Sequence, residues 1–160
     1  MIRLLFVCMG NICRSPLAEG VFLHLAKERN LSEKFEVDSA GVGDWHVGHA
    51  PDPRSQAVAN KHGIELMCRA RQVETPEDFE NFDLILAMDR TNFRDLLSLS
   101  PSEYHHKIRL MRDYDSSAME DREVPDPYYG GPGGFDNVYD MLQRACSGLL
   151  EELAASGGLA

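Results

Sequence analysis

Leu4-Leu5-Phe6-Val7-Cys8-Met9-Gly10-Asn11-Ile12-Cys13-Arg14-Ser15-Pro16-Leu17-Ala18-Glu19 reads as a buried strand, a short loop and a helix. Ile2, Leu4, Leu5, Phe6 and Val7 form an apolar run interrupted only by Arg3, which suits a strand covered on both faces. Leu17, Val21 and Leu25 recur every four residues, with Ala18 and Phe22 beside them, and so give a helix one apolar face. Ser15 is expected to cap that helix, with Pro16 at its first position.

The loop between strand and helix has the properties of an oxyanion cradle. Backbone N–H groups at a helix start lack intrahelical partners, and the helix dipole is positive there. Gly10 and Asn11 are expected to take the unusual backbone angles that curl amides inward. Arg14 adds a planar fork that matches two oxygens of a phosphate. Cys8 stands at the mouth of the same field, which favours a thiolate at neutral pH. A thiolate in an anion cradle is a nucleophile aimed at phosphorus.

The wider chain fits this reading. At 160 residues it is long enough for one full core, and its 43% hydrophobic content suits a globular domain. No apolar run approaches the roughly 20 residues of a membrane span. The first apolar run is too short for a signal peptide, and Cys8 follows it directly, so a cytoplasmic protein is expected. Cys8, Cys13, Cys68 and Cys146 are widely spread without metal-ligand pairing, as in a reducing compartment. Net charge is −10 and there is no basic block, which argues against nucleic acid as a partner. A phosphate site must therefore be positive locally.

Further strands are expected at Phe35-Glu36-Val37, Leu84 to Met88 and Ile108 to Met111. Helices are expected from an Asp52 cap with Pro53 to about His62, from a Thr75 cap with Asp78 three residues on, from Arg90 to Leu97, and from Phe135 to Leu153. Strands alternating with helices imply one domain over residues 1–160, with the three-layer α/β architecture of flavodoxin-like and Rossmann-like folds. A four-stranded twisted parallel sheet would carry helices on both faces. Ligands of such sheets bind at the carboxyl ends of the strands. The loops at that edge hold Cys8 to Arg14, Trp45 and Asp126.

Nucleophilic attack on a phosphate ester also needs a proton for the departing oxygen. A positioned acid contributes typically ~10²–10⁴-fold. Asp126 lies in Pro125-Asp126-Pro127-Tyr128-Tyr129, where prolines on both sides restrict the backbone. Asp113, Asp115 and Asp121 share its long loop and are rivals by composition. Trp45, Tyr128 and Tyr129 could line a slot that stacks an aromatic ring, and this favours Asp126. Cys13 serves equally well as a structural thiol or as a redox partner; Cys68 and Cys146 read as core thiols.

Val7-Cys8-Met9-Gly10-Asn11-Ile12-Cys13-Arg14-Ser15-Pro16 resembles the phosphate loop of the low-molecular-weight protein tyrosine phosphatases, and Asp126-Pro127-Tyr128-Tyr129 resembles their general-acid loop. The likeness extends through Val37-Asp38-Ser39-Ala40, Asp44-Trp45, Pro51-Asp52-Pro53-Arg54, Ala70-Arg71-Gln72, Phe82-Asp83 and Met88-Asp89. It implies a phosphocysteine on Cys8, with Asp126 as acid and then base, and Arg14 with the amides of Met9, Gly10, Asn11, Ile12 and Cys13 on the phosphate. It also implies that Asn11 shapes the loop, Ser15 supports the thiolate, Asp89 orients Arg14, and Cys13 can form a reversible disulfide with Cys8. No metal or other cofactor is implied, because Arg14 and the amides take its place. The partners implied are phosphotyrosine-containing proteins, with phosphate or other oxyanions in the site.

Two positions bear on the resemblance. The family usually has a His before Arg69-Ala70-Arg71 that supports the phosphate loop, and here Cys68 occupies that position. Relatives specific for phosphoarginine carry Thr at the position of Ile12, so Ile12 favours phosphotyrosine. Two other readings stay open: a thiol-linked arsenate reductase, which would need further cysteines near the site, and a non-catalytic phosphotyrosine-binding module.

Overall fold

The computed structural model describes residues 1–128 and 133–156. Strand β1 (Ile2–Cys8) leads through the loop to helix α1 (Arg14–Glu28), and β2 (Phe35–Gly41) follows. Helices α2 (Pro53–Lys61) and α3 (Glu77–Asn81) precede β3 (Leu84–Ala87). Helix α4 (Arg90–Leu99), β4 (Ile108–Leu110) and the long α5 (Gly134–Ala155) complete the regular structure, with short 3-10 turns between them. The sheet order is β2-β1-β3-β4, and every pairing is parallel.

The side-chain alternation of β1 explains the three layers. Leu4, Phe6 and Cys8 face a core built with α1, α2 and α5, including Leu17, Phe22, Val58, Leu142 and Leu149. Leu5 and Val7 face the opposite core, with Phe79, Phe82, Ile85 and Leu96. A strand buried on both faces has no solvent side on which to place polar residues, hence its continuous apolar run. Each fully buried Leu or Phe contributes roughly 1.5–3 kcal/mol relative to exposure.

β1 and β3 leave the centre of the sheet in opposite directions, so the order reverses between them. The carboxyl end of β1 lies at this switch point, where the following loops diverge and leave a crevice. Cys8 is the last residue of β1 and opens that crevice.

Several local expectations change. Ser15 does not cap α1. The helix begins at Arg14, Cys13 holds the cap position, and no side chain caps the first turn. Ser15 lies inside the first turn because its hydroxyl is engaged by Cys8 and Asn11 instead. Thr75 does not cap α3 either: its hydroxyl donates to the Leu99 carbonyl, while the Asp78 carboxylate accepts from the Glu74 N–H. Asp52 does cap α2, accepting from the Arg54 N–H at 2.8 Å. Among the described residues no helix is long and apolar enough to cross a membrane.

Candidate active site

The loop between β1 and α1 is braced from three directions. Asn11 adopts φ +58°, the left-handed conformation that its short amide side chain tolerates. Its Nδ2 donates to Ser15 Oγ at 2.8 Å, and its Oδ1 accepts the Arg71 N–H at 2.9 Å. Gly10, by contrast, has no positive φ; its smallness leaves room for the His46 ring, 2.9 Å from where a Cβ would sit. Gly41 is the glycine that backbone geometry demands. A Cβ there would come within 2.9 Å of the Met9 carbonyl oxygen and 3.1 Å of the Asn11 nitrogen. The loop can therefore lie against the end of β2, where Val42 N–H donates to the Cys8 carbonyl and Gly43 N–H to that of Met9.

Cys8 is only 2% exposed. Its Sγ lies 3.0 Å from Ser15 Oγ and accepts from the Asn11 N–H at 3.3 Å. The Asn11 N–H is a donor aimed at sulfur, while in the Cys8–Ser15 pair either atom can donate. Arg14 is also 2% exposed. Its Nη1 donates to Asp89 Oδ2 at 2.7 Å and to the Val124 carbonyl at 2.9 Å. Its Nη2 is 3.7 Å from Asp126 Oδ2. Burial opposes the Arg14 charge, but Cys8, Asp89 and Asp126 outweigh it, and the guanidinium is held more firmly cationic than usual. Burial, reinforced by Asp52, Cys8 and Asp126, pushes the Cys13 thiol up to about 12.

A cavity of about 520 Å³ gathers Cys8, Met9, Gly10, Ile12, Cys13, Arg14, Trp45, His46, Asp126 and Tyr128. Its size suits a small-molecule or side-chain ligand. Trp45 is 68% exposed and Tyr128 38% exposed, so apolar rings stand at the rim without being core. Tyr129 lies outside the described residues. Asp126 Oδ1 accepts the Tyr128 N–H at 3.0 Å. The other acidic residues of the loop are engaged elsewhere: Asp115 pairs with Arg112 and Arg144, Asp113 accepts from the Leu110 N–H, and Asp121 from the Glu123 N–H.

Ser15, Asn11 and Asp89 thus sit one contact behind the cavity or Arg14. Cys68 does not brace Asn11 or Ser15; the groups acting on its thiol are Glu19, Ser39 and Asp38. Burial, then Glu19, pushes that thiol up to about 11. Cys146 is fully buried in α5, and Cys8 and Cys13 are the cavity's two thiols. His46, the Val124 carbonyl and the Arg71 backbone were missed from sequence. His46 could have been read from its adjacency to Trp45; main-chain donors and acceptors carry no residue signature.

A polar deficit lies behind the loop, beside Cys68. Glu19 Oε1 and Ser39 Oγ are buried and make no hydrogen bond. Burial pushes the Glu19 carboxyl from its ordinary 4.5 to about 7. A carboxyl whose pKa is raised by folding favours the folded state below about 4.5, and loses that contribution as pH rises through about 7. Glu19→Gln is therefore expected to raise stability at pH 8 by at most about 3 kcal/mol and to change little at pH 4.5. Denaturant unfolding at both pH values tests this; parallel shifts at the two pH values would refute titration of Glu19 in this window.

Comparison with known proteins agrees with this geometry. Residues 3–158 match the family model described as low molecular weight phosphotyrosine protein phosphatase. A low molecular weight protein-tyrosine-phosphatase of Streptomyces coelicolor is 46% identical over 92% of this chain and 91% of its own. The crystal structure of a protein tyrosine phosphatase from Entamoeba histolytica superposes with TM-score 0.93 at 42% identity, covering 98% of this chain and 99% of that one. A Drosophila arginine phosphatase superposes with TM-score 0.85 at 38% identity, covering 94% and 97%. With a match that runs almost from end to end and the same doubly covered parallel sheet, the chain belongs to the low-molecular-weight phosphotyrosine protein phosphatase family, a family of cysteine-dependent hydrolases.

Proposed function

We propose that the chain is a single-domain phosphatase that hydrolyses phosphotyrosine on proteins through a phosphocysteine on Cys8. The observation that supports this best is that a buried cysteine, a buried arginine, a carboxylate and two aromatic rings line one cavity. The Cys8 thiolate attacks phosphorus, and the bond from phosphorus to the tyrosyl oxygen breaks. Asp126 gives its proton to that oxygen, and tyrosine leaves. Asp126, now a carboxylate, takes a proton from water as the water attacks the phosphocysteine. The sulfur–phosphorus bond breaks, and inorganic phosphate and the thiolate are released. Arg14 and the amides of the loop stabilise the equatorial oxygens through both transition states.

The remaining residues have supporting roles. Asp89 and the Val124 carbonyl fix the plane of Arg14, while Asn11 and Ser15 hold the loop and the thiolate. The neutral Cys13 thiol is the candidate resolving partner if Cys8 is oxidised. The chemistry needs Cys8 free and reduced, which fits a cytoplasmic setting.

Fold alone does not select the substrate, since the Drosophila arginine phosphatase shares it. Ile12 offers that substrate no polar partner, whereas Trp45 and Tyr128 offer an aryl ring two faces. With Cys8 at the floor of the cavity, a rigid phosphoaryl group reaches sulfur better than a phosphoserine side chain. Phosphotyrosyl, phosphoseryl and phosphoarginyl peptides should be offered to the enzyme in the presence of a metal chelator. Phosphate release is expected from the first alone, and preferential release from either of the others would overturn the substrate assignment.

A further inference from the structure

We infer that Arg54 is a positioning residue for the general acid, tying the phosphate loop to the segment that carries Asp126. This rests on the assignment of the acid to Asp126. The start of α2 is fastened to the phosphate loop: Asp52 N–H donates to the Ile12 carbonyl at 2.8 Å, and Ser55 Oγ to that of Cys13 at 3.0 Å. From this platform Arg54 reaches across the crevice. Its Nε and Nη2 both donate to the Asp52 carboxylate at 3.0 Å, which fixes the guanidinium plane. The remaining arm, Nη1, donates to the Tyr128 carbonyl at 3.1 Å.

The face of the same guanidinium lies against two rings, 5.1 Å from the centre of Tyr128 and 4.8 Å from that of Phe135 at the start of α5. Tyr128 in turn orients Asp126 through its N–H. A continuous series of contacts therefore runs from Ile12 through Asp52, Arg54 and Tyr128 to Asp126. The ordinary alternative is a solvated surface arginine. Against it, a cation in the first turn of α2 opposes the helix dipole, and this one is committed to a fork, a carbonyl and two ring faces. The Asp126 side chain is 44% exposed, so burial does not hold it in place. Its presentation depends on its backbone, which is the part Arg54 grips. Arg54 is half-exposed but Asp52 is buried, so removing the Arg54 side chain leaves the Asp52 carboxylate to the Arg54 N–H and costs some stability as well as geometry; the leaving-group dependence of the rates separates the two.

Because an acid matters only when the leaving group is poor, the substrate can report on its position. The second-order rate constant kcat/KM includes the first bond-breaking step and is compared for phenyl phosphate, a poor leaving group, and p-nitrophenyl phosphate, a good one. Arg54→Ala is expected to lower the phenyl phosphate value about tenfold and the p-nitrophenyl phosphate value less than about threefold. Arg54→Lys should behave like Arg54→Ala, since an ammonium cannot hold Asp52 and Tyr128 with one plane. Inhibition by inorganic phosphate should change little, while the melting temperature should fall modestly as Asp52 loses its partner. Equal losses on both substrates, no loss, or full rescue by Arg54→Lys would overturn the inference. Asp126→Ala serves as reference: if its own loss ignores the leaving group, the acid assignment fails and this inference with it. If Asp126→Ala discriminates and Arg54→Ala does not, only the role of Arg54 fails.

Discussion

Cys8→Ser is expected to lower turnover of a phosphotyrosyl peptide at least ~10⁴-fold, about 5 kcal/mol of barrier, while inorganic phosphate still binds. The two parts of this expectation come from different atoms. On the proposed assignment binding rests on Arg14 and on amides at the uncapped start of α1, none of which the substitution removes. Turnover needs an anionic nucleophile. Sulfur accepts from the Asn11 N–H and lies 3.0 Å from the Ser15 hydroxyl, and a thiol ionises far more readily than an alcohol. A serine hydroxyl in its place has no base beside it: Ser15 is another hydroxyl, and the nearby Arg14 is a cation. The replacement is nearly isosteric in a site 2% exposed, so the protein should fold. Calorimetric titration with inorganic phosphate, beside single-turnover phosphate release, separates the two outcomes. Appreciable turnover by the serine variant would remove Cys8 as nucleophile and with it the phosphocysteine. Binding with wild-type turnover also absent would favour a phosphotyrosine-binding module.

The parts of this design legible in the sequence are those in which residue type and local spacing coincide. The apolar run of β1 has no polar face because helices cover both sides, and the four-residue recurrence of Leu17 and Val21 follows from α1 having one. Cys8 and Arg14 occupy one loop, so their proximity needs no knowledge of the fold. The choice of Asp126 over Asp113, Asp115 and Asp121 was a matter of flanking residues, and the structure occupies those rivals with Arg112, Arg144, Arg122 and main-chain amides. What was not legible depends on main-chain groups far apart in sequence. Nothing in the identity of Arg71 says that its N–H, rather than its guanidinium, holds Asn11, or that the Val124 carbonyl braces Arg14. The Ser15 cap failed for a related reason. Local rules match a serine at a helix start to the nearest N–H groups, but here Cys8 and Asn11, brought in by the curl of the loop, take the hydroxyl. Cys68 shows the limit from the other side: it stands where the family usually has a supporting His and reads as a core thiol, yet it is half-buried beside Glu19 and Ser39, and the Arg71 N–H holds Asn11.

Arg14→Lys keeps the charge, and is still expected to lower kcat/KM on a phosphotyrosyl peptide about 10³-fold. Arg14 makes two anchoring contacts and faces the cavity with one rigid group. Its Nη1 is anchored twice, by the Asp89 carboxylate at 2.7 Å and the Val124 carbonyl at 2.9 Å, and its other edge is directed to the cavity beside Asp126. A lysine ammonium is a single point on a flexible stem. If it pairs with Asp89 it leaves the phosphate; if it turns to the phosphate it leaves a carboxylate and a buried carbonyl without their donor. The first outcome removes transition-state stabilisation, which for a lost oxyanion donor is typically ~10²–10³-fold. The second adds a cost to stability, since breaking a buried pair typically costs about 3–5 kcal/mol when a charge is stranded, less here because the Asp89 side chain is 21% exposed. Asp89→Asn distinguishes these contributions. Asp89 Oδ2 accepts from Nη1 and Oδ1 from the Asn92 N–H at the start of α4, so the amide keeps one of these two acceptors and removes the charge; with Arg14 and its Val124 anchor intact it should still be milder than Arg14→Lys in kcat/KM. In the double variant Asp89→Asn, Arg14→Lys the lysine no longer has a carboxylate to pair with, and part of the lost activity should return. A double variant no better than Arg14→Lys alone would mean that the planar fork, rather than competition from Asp89, accounts for the whole loss. An Arg14→Lys enzyme within about threefold of wild type would mean that charge alone suffices, and the case for a bidentate phosphate clamp would fail.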